Sequence, residues 1–116
     1  MMYAKTFPGA IDLRESFIYP DCYDIFNSWE GLRLRKRGTT VISLGVKVIA
    51  GLGEKCVLTD RYGACVTNFI EVENKVVGDD QPISVKLINR SNQDVVIKHG
   101  EILCQIMILS IEMVGR

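Results

Sequence analysis

The residues in this 116-residue chain with the clearest capacity for chemistry are cations, thiols and one imidazole. Arg33, Arg35, Lys36 and Arg37 crowd five positions ahead of an apolar run. Such a cluster either holds an anionic ligand or acidic surface, or simply solvates a turn. Cys22, Cys56, Cys65 and Cys104 lack the Cys-x-x-Cys spacing of a zinc site, and the single histidine, His99, sits in a Lys-His-Gly turn. Metal binding through these groups is not expected. Cys56, Cys65 and Cys104 stand in apolar strand-like contexts, where a thiol behaves as a small buried hydrophobe.

The elements around these residues are short. Val85–Asn89 and the run from Val95 are short and β-branched and flank a Ser-Asn-Gln-Asp turn, and Lys98-His-Gly100 leads into a longer apolar strand, Glu101–Leu109. Upstream, Tyr23–Phe26, Gly31–Arg35, Thr40–Ile49, Lys55–Thr59, Cys65–Val72 and Lys75–Val77 read as further strands, with Gly, Asn and Asp between them. Residues 40–49 form the best central-strand candidate. Pieces of this length and spacing predict an all-β sandwich or barrel with no helix signal. Residues 1–22 read as an N-terminal arm with at most one short strand, and residues 23–116 as one β domain.

Fourteen basic residues balance fourteen acidic ones, so no global field favours nucleic acid or a membrane surface. The first residues lack the charged-then-apolar pattern of a leader, and no eighteen-residue apolar run occurs. The expected setting is reducing, cytoplasmic or nuclear.

From Tyr23 onward the order of motifs resembles the trimeric dUTPase family. Cys22-Tyr-Asp-Ile-Phe26 is similar to that family's Ala-Gly-Tyr-Asp-Leu motif, and Leu44-Gly-Val-Lys-Val48 to its Thr-Gly-Ile-Lys-Val strand. Thr59-Asp-Arg-Tyr-Gly63 falls where Pro-Arg-Ser-Gly belongs, with the count from Gly45 to Arg61 unchanged. Val85–Ser91 resembles Val-Val-Leu-Phe-Asn-His-Ser, and Ile97–Gln105 resembles Ile-Lys-Lys-Gly-Asp-Arg-Ile-Ala-Gln. The resemblance implies a jelly-roll or β-clip barrel subunit, a homotrimer, and a nucleotide site between subunits. It places Asp24, Arg61, Gly63 and Gln105 at the phosphates, with Asp24 a candidate Mg2+ ligand.

The chemical positions depart from the family. The third motif needs a carboxylate within reach of the attacking water. Aligned from Arg61, the chain offers Lys75-Val-Val-Gly-Asp-Asp80, with glycine at that position and nothing for the following Tyr-Arg. Asp79 and Asp80 are the only substitutes, and a one-residue slip reverses a strand residue's facing; otherwise they solvate a loop. Tyr62 replaces the phosphate-contacting serine, Ile102 or Leu103 the arginine of the fourth motif, and the ending Glu112–Arg116 the Gly-rich fifth motif.

Two expectations follow. One is a catalytically inactive, dUTPase-like viral protein, similar in type to adenoviral early-region-four proteins, that binds host or viral proteins through Trp29 with Phe26, or through Arg33, Arg35 and Arg37. Its C-terminal Met113-Val-Gly-Arg116 lacks a PDZ-ligand pattern. The alternative is a divergent enzyme that binds deoxynucleotides or hydrolyses dUTP to dUMP and pyrophosphate, with Mg2+ as its one cofactor. The first reading needs none.

Overall fold

The computed structural model describes residues 1–111, and every sheet within them is antiparallel. Twelve strands fall into four small sheets rather than a closed barrel. The largest has the order β2 (Arg14–Glu15), β3 (Cys22–Phe26), β12 (Ile102–Ser110), β7 (Glu54–Thr59), β9 (Val76–Val77). A second joins β5 (Thr39–Ser43), β10 (Ser84–Asn89) and β8 (Ile70–Val72). Two ribbons complete the set: β1 (Met2–Lys5) with β6 (Val46–Ile49), and β4 (Leu32–Leu34) with β11 (Val95–Ile97).

Burial follows the two-residue period of strands. In β10, Val85, Leu87 and Asn89 point inward while Ser84 and Lys86 face solvent. β12 differs, because Leu103, Cys104, Gln105 and Ile106 are all buried. A strand flanked on both edges and covered on both faces needs such an unbroken run. Ile25, Leu58, Leu87, Ile97, Leu103 and Ile106 are among the largest fully buried side chains. Each contributes about 1.5–3 kcal/mol by leaving water.

Three expectations needed correction. Thr40–Ile49 is two strands in different sheets, broken at Gly45. Gly45 has φ 78°, and a Cβ there would lie 3.0 Å from Ala10 Cβ and 3.1 Å from the Phe7 ring. A side chain would collide where the N-terminal segment crosses, so the chain turns there. Residues 65–72 are not one strand: α1 (Ala64–Thr67) forms a single helical turn before β8. Asn68 is its C-terminal cap, and the next residue, Phe69, takes the left-handed conformation at φ 59°. Residues 1–22 hold two strands, and both pair with the body of the fold. The Met1 ammonium also reaches Glu54 Oε1 at 3.1 Å. No helix in the described residues is long and apolar enough to cross a membrane.

All four cysteines are buried as free thiols. Burial pushes the Cys65 thiol up to about 12 and the Cys104 thiol well above its ordinary value. The unfolded chain releases these protons near pH 8.5, earlier than the folded one. Stability is therefore unaffected by these thiols below that pH and falls as pH rises toward 12. The loss reaches up to about 1.4 kcal/mol per pH unit per thiol. In urea titrations between pH 8 and pH 11, Cys65→Ala should flatten this alkaline decline. An unchanged slope would contradict the assignment.

Candidate functional site

β3, β12 and β7 lie side by side, with Asp24 opposite Gln105 and Gln105 opposite Thr59. Ile25, Cys104, Ile106 and Leu58 fill the core on one face of this sheet. The strand period therefore turns Asp24, Cys22, Gln105 and Thr59 to the other face.

Residues 14–22 fold over that second face. Ser16 N–H donates to the Cys22 carbonyl (2.9 Å), closing a short loop. Ser16 Oγ accepts from the amides of Ile18 (3.2 Å) and Tyr19 (3.1 Å), and from Gln105 Nε2 (3.2 Å). The Asp24 carboxylate, only 2% exposed, accepts from Arg14 Nη2 (3.0 Å) and Gln105 Nε2 (2.9 Å). A buried carboxylate without such donors would be prohibitively costly. The Arg14 guanidinium also lies 5.0 Å from the Phe26 ring and 5.2 Å from the Phe17 ring.

Arg61 is held beside this cluster. Its Nη2 donates to Cys22 Sγ (2.9 Å), and its guanidinium carbon stands 3.8 Å from the centre of the Tyr19 ring. Cation–π contacts of this kind contribute about 0.5–2 kcal/mol. Tyr62 meets Tyr19 edge-on, with ring centres 6.2 Å apart. Gly63 has a packing role: at φ 121° and ψ −171°, its Cβ would fall 2.8 Å from the Leu103 carbonyl oxygen and 2.9 Å from that of Ile102. Only glycine lets α1 begin so close to β12.

Of the four phosphate-site candidates, Asp24 and Gln105 thus touch, while Arg61 joins them through Cys22 and Tyr19. Asp24 sits in mid-strand and caps no turn. Each of its oxygens accepts one hydrogen bond, and the carboxylate is buried under Arg14. Among the described residues no group of three His, Cys, Asp or Glu has metal-holding geometry.

Asp79 and Asp80 lie elsewhere, along β6. Asp79 bridges Ile49, Asp80 N–H donates to Val48 O (3.0 Å), and Asp80 Oδ1 pairs with Lys47 (3.2 Å). Among the described residues no hydrogen bond or ion pair links them to Asp24, Arg61 or Gln105.

The basic cluster is partly engaged. Arg33 pairs with Asp94 (2.8 Å), holding that carboxyl below its ordinary range, and Asp94 also accepts from the Lys36 amide (2.9 Å). Arg37 Nε donates to Asn92 (2.9 Å). Trp29 is 40% exposed, with its indole N–H on Ser43 O (2.9 Å) and its ring 5.3 Å from Phe7; Phe26 is half-buried. Glu112–Arg116, on which the expected lack of a PDZ-ligand pattern and of the fifth motif rests, lie outside the described residues.

Arg14, Ser16, Tyr19 and Cys22 were missed as members of this site. The available signal was Asp24 itself, a carboxylate between apolar strand residues that must draw a cation from somewhere.

A family model described as dUTPase matches residues 22–114. The fold is similar to that of the dUTPase from phage phi11 of S. aureus, with TM-score 0.79 and 17% identity over 99% of this chain and 92% of that one. A phi11 variant whose structure shows coordination of a structural Mg(II) ion aligns with TM-score 0.79 and 17% identity, covering 99% of this chain and 93% of that one. The Staphylococcus bacteriophage 80alpha dUTPase with dUPNHPP aligns with TM-score 0.81 and 18% identity, over 99% and 85%. The likeness to adenoviral early-region-four proteins has no counterpart among these neighbours. No curated protein matches the chain.

Removing one partner of the buried pair should cost more than removing both. Arg14→Ala should destabilise by about 1–3 kcal/mol, and Arg14→Ala with Asp24→Asn by less. Equal urea midpoints for the single and double variants would contradict this coupling. Gly63→Ala should lower stability by about 1–3 kcal/mol or more, visible as a melting temperature several degrees lower.

Proposed function

The chain belongs to the dUTPase family, and from that premise we propose that it is a catalytically inactive, viral member acting as a protein-interaction module. On this reading the fold is kept, hydrolysis of dUTP is lost, and a homotrimer of the chain binds host or viral proteins in the cytoplasm or nucleus. The observation that carries it is the engagement of every charged group in the cluster within the chain itself. Asp24 is neutralised by Arg14 and Gln105, and Arg61 is stacked on Tyr19 and bonded to Cys22. A triphosphate needs unengaged cations and amides directed at its oxygens. A general base must reach the attacking water, and the Asp80 carboxylate is already paired with Lys47.

A divergent deoxynucleotide-hydrolysing enzyme is the second reading. Family membership and the 80alpha neighbour solved with dUPNHPP favour it. It needs a Mg2+-bound triphosphate, and Asp24, the residue nominated for that ion, is buried and paired with Arg14.

Pyrophosphate release from dUTP with Mg2+ decides between the two. We expect turnover below about 0.01 s⁻¹, three decades under the ordinary enzyme median of about 10 s⁻¹. Asp79→Asn should leave any residual rate unchanged. Turnover near the median that Asp79→Asn abolishes would overturn the inactive reading. Light scattering should return three chain masses, and a monomer would remove the homotrimer.

A further inference from the structure

A groove of about 490 Å³ opens between β4 and β5, lined by Leu32, Arg33, Val41 and Ile42, with Trp29 and Glu30 at the end away from the β4–β5 turn. Both strands end their sheets, since β4 pairs only with β11 and β5 only with β10. The Ser43 carbonyl is turned away from β10 to accept the Trp29 indole N–H. The antiparallel alternation therefore directs the N–H and C=O of Val41 to the same outer edge. Val41 also leaves its side chain 65% exposed, beside a Trp29 that is 40% exposed. Unpaired edges of this kind are templates for another strand.

The charge at one end says what kind of strand. The turn from β4 to β5 carries Arg35, Lys36 and Arg37, and no carboxylate of the described residues forms an ion pair with any of them; Arg33 alone is neutralised, by Asp94. We infer that this groove binds an extended acidic segment of a partner protein as an added strand on β5. Backbone hydrogen bonds to Val41 anchor the guest, its apolar side chains lie on Val41 and Trp29, and its carboxylates meet Arg35 and Arg37. The inference rests on the interaction-module reading and assigns that reading its surface.

Trp29 is the only tryptophan in the chain, so its fluorescence reports occupancy. A capped octapeptide of alternating valine and glutamate should shift Trp29 emission to the blue with saturable binding, and the valine–lysine counterpart should not. Val41→Pro removes the outward N–H without touching the ladder to β10, which an edge strand tolerates. It should weaken binding at least tenfold with little change in melting temperature. Arg35→Glu with Arg37→Glu should do the same. No shift with millimolar acidic peptide, an equal shift with the basic one, or full binding by folded Val41→Pro would overturn the inference. So would a blue shift on raising protein concentration alone, which would give the groove to a second copy of the chain. The pyrophosphate assay is independent, so failure of this surface and failure of the inactive reading remain distinguishable.

Discussion

A carboxylate buried in the middle of a sheet constrains the rest of this molecule. Asp24 lies on β3 with almost no access to water, and its charge is tolerable only because Arg14 and the Gln105 amide meet it. Arg14 can reach it only if the chain before β3 folds back. That return carries Ser16 onto Gln105, and places Tyr19 where Arg61 can stack. One buried negative charge thus organises an N-terminal strand, a closed loop and the side-chain conformation of an arginine from a different part of the chain.

The same arrangement separates inheritance of a fold from inheritance of a reaction. Fold depends on pleated strands, a few glycines that permit close approach, and apolar volume, and all of these are kept. Gly63 illustrates the point: its place beside the carbonyls of Ile102 and Leu103 is explained by contact between α1 and β12 alone. A reaction depends on groups left uncompensated until substrate arrives. In the Asp24 cluster Asp24, Arg14 and Arg61 are already engaged within the chain, which stabilises the subunit, while Gln105 Oε1 is buried without a hydrogen-bond partner.

How much of this was legible in the sequence depended on the distance over which each feature is decided. β10, β11 and β12 were readable because β-branched runs and polar turns are local signals. The break at Gly45 was hidden, since apolar residues continue on both sides and the cause is Ala10 and Phe7 arriving from elsewhere. A four-residue helix is too short to show a helical period, so Ala64–Thr67 was absorbed into a strand. Asp24 and Gln105 were nominated for one site, with Arg61 and Gly63, through family resemblance, whereas their contact with each other and with Arg14 and Ser16 was not legible. Those contacts join residues in a segment without a recognisable motif to strands far along the chain.

The strand order has a consequence for biosynthesis. β12, which separates β3 from β7, leaves the ribosome after both of its neighbours and is the last strand among the described residues. Until residues 102–110 appear, β3 and β7 have no common partner, and Asp24 lacks Gln105. The nascent chain therefore carries unfilled backbone edges through most of its synthesis, and closes its largest sheet in one late, long-range step.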